Sequence, residues 1–214
     1  MTRDYFAGAS TLNEMLKPSS VTADGQTAGL DITDYMGILC FLLAVKKIAG
    51  TTPTLDVKLQ SAPSVNVIHA LSYSGTGNGA IQELEGGPDA IAETVTITMT
   101  SATAFGVSGS VSGSLGTGTV GTRFSSSKVK FLITAGDTAF VNTDAFTVTV
   151  YARTYTDVSG AAFAQVTTTD GIKRITANAD GIGRFIRFDL NIGGTSNPEY
   201  TTSLAMLGMK QETP

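Results

Sequence analysis

The chain has 214 residues, 42% of them hydrophobic and only 15% charged, with a formal net charge of −4. That length and apolar fraction suit one large or two small globular domains and exclude a disordered chain. A phosphate-binding surface needs a surplus of Lys and Arg, so the negative balance argues against a nucleic-acid partner.

The start, Met1-Thr-Arg-Asp-Tyr-Phe6, lacks the apolar centre of a signal peptide. No later run approaches the ~20 apolar residues of a membrane-spanning helix. A soluble protein made in the cytoplasm, without a membrane partner, is the expectation. The first twenty residues read as an arm. In it Phe6, Leu12, Met15 and Leu16 form one short amphipathic turn that Pro18 ends. Such an arm is either a frayed terminus or a strap laid on a neighbouring subunit.

Strands follow. Thr27–Thr33 alternates, with Leu30 and Ile32 on one face. The continuously apolar Gly37–Val45 suits a strand buried on both faces or packed under an insertion, and the lone Cys40 within it is expected to be a buried, inert thiol. Thr54-Leu-Asp-Val-Lys-Leu-Gln60 has period-2 alternation, placing Leu55, Val57 and Leu59 inward. Val65–Tyr73 closes this first group.

The composition then shifts. Gly75–Gly79 and Gly86-Gly-Pro88 punctuate the chain, and Thr94–Thr122 holds no charged residue. Thr94–Thr100, the first half of Lys128–Thr134, and Ala145–Tyr151 alternate, which predicts a small antiparallel β module over 75–152 inserted into the rest. After it, Ala161–Val166, Gly171–Ile175, Arg184–Ile192 and Tyr200–Leu207 resume the first pattern. There is also an internal echo. Ala49–Leu59 and Gly193–Leu204 both run from an apolar strand through Gly-Thr and Pro into an alternating strand. The predicted fold is therefore all-β. It is a jelly-roll-like β-sandwich made of 21–74 plus 153–214, preceded by the arm over 1–20 and interrupted by the inserted module.

Gly116–Gly121 fits G-x-G-x-x-G and Gly75–Ala80 its looser form, yet neither is followed by a helix that could receive a phosphate, so both read as turns. His69, the one histidine, lies in an apolar strand, and one His with one distant Cys cannot complete a zinc site. No G-x-S-x-G elbow presents a serine. Asp31 and Asp34, or Asp170 and Asp180, have the look of turn caps, without the alternating spacing of a calcium loop. No catalytic residue, metal ligand or cofactor is predicted, and the chain reads as structural, not enzymatic.

The outer segments resemble a family of small head-decorating, or cement, proteins of tailed bacteriophages. The matching residues are Gly50-Thr-Thr-Pro-Thr-Leu-Asp-Val-Lys-Leu-Gln60, Ala161-Ala-Phe-Ala-Gln-Val-Thr167, and Gly194-Thr-Ser-Asn-Pro-Glu-Tyr200 through Leu207-Gly208. They cover about half of the chain. The middle segment, Phe105–Gly113 through Asp144–Val148, resembles a β unit of phage structural proteins and fibres. The resemblance implies a virion component on the capsid surface that bridges and stabilises copies of the major capsid protein, as a homo-oligomer, with a trimer favoured. The alternatives are a tail or fibre-associated protein, or a carbohydrate-binding sandwich using Tyr73, Tyr151 and Tyr155. Candidate capsid contacts are Phe6, Leu12, Met15 and Leu16 of the arm. Thr51, Pro53, Asn197 and Pro198 join them as tips of the two echoing hairpins.

Overall fold

The computed structural model describes residues 10–167 and 169–210, so Phe6 lies outside the described residues. The protein is all-β, built of antiparallel sheets, none of them closed into a barrel among the described residues. Among the described residues the one helical element is a 3-10 turn, Ala179–Gly181. The chain divides into two compact units, one made of 1–64 with 155–214 and the other of 65–154.

Unit 1 is organised by two very long strands, β4 (Tyr35–Ala62) and β15 (Phe185–Lys210), paired antiparallel from Phe185↔Ala62 to Lys210↔Tyr35. Both strands fold over together near their middles, so one ladder supplies the central pair of two facing layers. In the first layer β1 (Ser10–Val21) adds to β15 through Leu12↔Leu207 and Val21↔Tyr200. On the other side β14 (Gly171–Asn178) adds to β4 through Ile172↔Ala44 and Asn178↔Ile38. In the second layer the short β2 (Gly25–Gln26) and β3 (Leu30–Asp31) flank β15, and β13 (Thr156–Ala162) flanks β4.

The core lies between these layers. Leu39, Phe41 and Leu43 of the first layer meet Leu55, Val57, Leu59 and Phe188 of the second, all at most 1% exposed. The Phe41 and Phe188 rings meet edge to face at 5.2 Å, a favoured aromatic geometry. Alternation in the sequence is what makes this possible, because period 2 sends every second side chain to the same side.

The fold of the long strands rests on a reciprocal glycine–proline contact. Gly50 (φ +105°) faces Pro198 so closely that an added Cβ would lie 2.8 Å from the Pro198 Cα. Gly194 (φ +115°) faces Pro53 in the same way, at 2.7 Å. Only glycine allows both the left-handed backbone and the close approach. Thr52, Ser196 and Asn197 also have positive φ here, so the backbone at this corner is tightly constrained.

Four readings of the sequence are corrected by this architecture. Ser10–Val21 is a sheet strand rather than an arm with an amphipathic turn, because β15 offers it a free edge and its amides complete a ladder there. The Gly37–Val45 run is buried on one face only. The echoing segments are not hairpin tips but a shared corner within continuous strands. Finally, β5 (Ile68–Ser74) pairs with β12 (Ala145–Val150) in unit 2, so the Val65–Tyr73 run does not belong with the outer strands.

Unit 2 has two sheets of its own. The larger follows the order β5–β12–β7–β8–β9, with β7 (Glu93–Met99), β8 (Ala104–Gly109) and β9 (Gly113–Thr119). The smaller is β10 (Phe124–Ser125), β11 (Val129–Thr134) and β6 (Ala80–Gly86). Val95, Ile97, Phe131, Phe146 and Val148 bury a separate core, with Phe105, Phe124 and Phe131 in mutual ring contact. Arg153 closes the unit. Its buried guanidinium donates to the carbonyls of Gly86, Gly87 and Val65 at 2.7–3.1 Å, an arrangement that Lys, lacking the planar fork, would not reproduce.

Candidate functional site

The predicted contact residues other than Phe6 fall into two separate places. Thr51, Pro53, Asn197 and Pro198 come together at the corner of unit 1, where Thr195↔Thr51 is a register pair and the Thr195 hydroxyl donates to the Thr51 carbonyl at 3.2 Å. Thr51 and Asn197 are exposed, with Thr52 and Ser196 beside them. Pro53 is buried, so its role is structural: it fills the space that Gly194 leaves.

Leu12 lies elsewhere, opposite Leu207 and so about nine residues, or ~30 Å, along β15 from Pro198. It is 59% exposed and faces outward. Met15 and Leu16 are partly buried against the unit 1 core, and the register shifts around Leu16 are what turn that side chain inward. The seven described candidates therefore do not form one surface.

The outward faces of the two layers differ in kind. In the second layer they carry Asp56, Lys58, Gln60, Arg187, Asp189 and Asn191, tied by polar contacts such as Gln60 to Asp157 at 2.9 Å and Arg187 to Gln60 at 2.9 Å. In the first layer the same two strands turn Ile38, Cys40 and Leu42, with Ala205, Leu207 and Met209, to the outside. Ile38 is 69% exposed and Cys40 half-buried, so the thiol is not enclosed in the core as the apolar run suggested. Sequence reasoning missed this face because a continuous apolar run looks the same whether its second face meets another layer of the fold or points outward.

The titratable groups held in unusual states are structural clamps. Burial pushes the Asp144 carboxyl up, but amide donors from Thr76, Val141 and Gly77 and the Tyr73 hydroxyl outweigh it and hold the pKa at about 2. Thus the Gly75–Gly79 segment wraps a carboxylate rather than a phosphate. Glu93 is similar. Burial raises it, while the Ser112 amide and hydroxyl, the Val111 amide and the charge of Lys128 lower it overall.

A group whose folded pKa lies below its unfolded value contributes stability above the unfolded value and loses it as pH falls through the folded one. For Asp144 that window runs from the ordinary 3.8 down to about 2. Asp144→Asn is therefore expected to lower the melting temperature of unit 2 at neutral pH. The gap from the unmodified protein should close as pH drops through that window. A gap that is constant across a pH series of thermal melts would show that the charge on Asp144 is not what holds the loop.

His69 stacks on Tyr151 at 4.9 Å on the edge strand β5, and Tyr73 is tied to Asp144. Tyr155 lies under the Arg187 guanidinium at 4.3 Å. The three tyrosines are thus each engaged within their own unit. Among the described residues no three His, Cys, Asp or Glu side chains cluster as a metal site. Among the described residues no helix is long and apolar enough to cross a membrane.

No protein-family model matches the chain, and no curated protein matches it. Two crystal structures of FlgL from Xanthomonas campestris are similar over part of it. One, at 18% identity and TM-score 0.34, covers 47% of this chain and 33% of the FlgL chain. The other, at 18% identity and TM-score 0.30, covers 59% and 34% respectively. This chain thus spans about a third of the length of those chains. The likeness is too slight to bear on fold or function.

Proposed function

We propose that the protein is a virion structural component that binds the outside of an assembled phage capsid and stabilises it by bridging copies of the major capsid protein. The observation that carries this reading is the corner of unit 1. There Thr51, Thr52, Ser196 and Asn197 project from a backbone that two glycine–proline contacts hold rigid. A rigid rim loses little conformational freedom on binding, so modest polar and main-chain contacts suffice. The residues of the corner are also among those that carry the resemblance to head-decorating proteins. With charge low on this rim, affinity rests on shape and hydrogen bonding, and it multiplies over the many equivalent sites of a shell.

The test is to mix purified protein with undecorated, expanded capsids of the parent virus. Binding should saturate at a fixed number of copies per capsomer. Replacing Thr51 and Asn197 together by lysine should weaken it about tenfold, through lost hydrogen bonds and two desolvated charges. A protein that ignores capsids but co-sediments with isolated tails would instead establish the fibre-associated reading. The Thr-rich outward positions of β7 and β12, at Thr94, Thr96, Thr98, Thr147 and Thr149, are the feature that favours it.

A further inference from the structure

The apolar outer face of the first layer has a pattern that its charged counterpart lacks. Reading across the sheet, one register row runs Glu14, Ala205, Leu42, Arg174, from β1 through β15 and β4 to β14. Acid stands at one flank, base at the other, and a small residue beside a large one between them. Glu14 and Arg174 are both exposed, and neither forms an ion pair within the described residues. The next row, Leu12, Leu207, Cys40, Thr176, again sets a large side chain beside a small one at its centre.

We propose that a second copy of this chain packs on this face, about a twofold axis running along the strands between β4 and β15. Such an axis keeps each row at its own height and reverses its order. Glu14 then stands over Arg174 of the second copy, and Arg174 over its Glu14, so one interface gains two ion pairs. Ala205 meets Leu42, and Leu207 meets Cys40, so large side chains fall on small ones. A twofold interface must be self-complementary in this way.

The area is adequate. Four strands about 4.8 Å apart and about ten residues long present roughly 600 Å² per copy, or roughly 1,200 Å² in all, above the roughly 1,000 Å² of a specific interface. The flanks Leu12 and Ile172, 59% and 75% exposed, would be covered together with Ile38. Exposed apolar side chains gathered on one face, opposite a charged one, mark an interaction site. This inference does not rest on the capsid reading, and it leaves the corner residues free to serve it.

Sedimentation velocity across a wide concentration range tests the pairing. The protein should form a dimer, and Leu42→Glu should weaken it at least about a hundredfold by burying an unpaired charge. Glu14→Arg and Arg174→Glu should each weaken it about tenfold, because one substitution creates two like-charge contacts. The double variant should return to within about threefold of the original, since the swap restores both pairs. Cys40 supplies a readout in the unmodified chain: its labelling by a thiol reagent should slow as the dimer forms. A chain that stays monomeric, a trimer, or a dimer indifferent to Leu42→Glu and to both charge reversals would overturn the proposal.

Discussion

Phe188→Ala is expected to destabilise unit 1 by about 4 kcal/mol, within the usual range for removing a buried phenylalanine. Phe188 has no exposed surface and touches Phe41 at 5.2 Å and Phe163 at 5.7 Å between ring centroids. It therefore joins the first layer, the second layer and the segment after β13. Both layers descend from the same two strands, so they cannot slide together to fill the space. The cavity would persist, which puts the cost towards the upper end. A loss of that size is a large fraction of a typical domain's stability. Denaturant unfolding followed by amide exchange on β4 and β15 would measure it. A cost below about 1 kcal/mol would mean that the layers can close over the gap.

Gly194→Ala is expected to cost about 3 kcal/mol or more, although it adds a single methyl group. The residue sits at φ +115°, where an L side chain is strained, and the new Cβ would lie 2.7 Å from the Pro53 Cα and 2.9 Å from the Thr52 carbonyl oxygen. These are backbone atoms, so no rotamer change relieves the overlap. Gly50→Ala meets Pro198 in the same way and should behave alike. Gly181→Ala serves as the control, since its Cβ would meet nothing within 4 Å, and it should stay within about 0.5 kcal/mol. If the two corner variants matched this control in thermal melts, the interlocked corner would not be what bends the long strands.

Period-2 alternation in Thr54–Gln60 is a local property, and it correctly places Leu55, Val57 and Leu59 inward, while the same alternation in Thr94–Thr100 and Ala145–Tyr151 marks strands. The all-β class follows from the same signal together with the glycine-rich punctuation. The echo between Gly50–Pro53 and Gly194–Pro198 was legible too, as a pair of related segments.

What those segments do was not legible. Each glycine's space is set by the other segment's proline, some 145 residues away, so the corner exists only once β4 and β15 are paired. The strand character of Ser10–Val21 likewise depends on a free edge of β15 that no local signal announces. Cys40 and Leu42 are the same kind of case. Their apolar neighbours made them look enclosed, because hydrophobicity tells that a side chain avoids water but not which surface will shelter it. Sequence by itself determined which residues alternate and where the chain can turn. Only tertiary pairing decided which strands are neighbours, and thus that one outward face carries charges while the other aligns Glu14, Ala205, Leu42 and Arg174 in a single row. The physical reason is that register across a sheet is fixed by long-range hydrogen bonding, and a shift of one residue would have sent every one of those side chains to the opposite face.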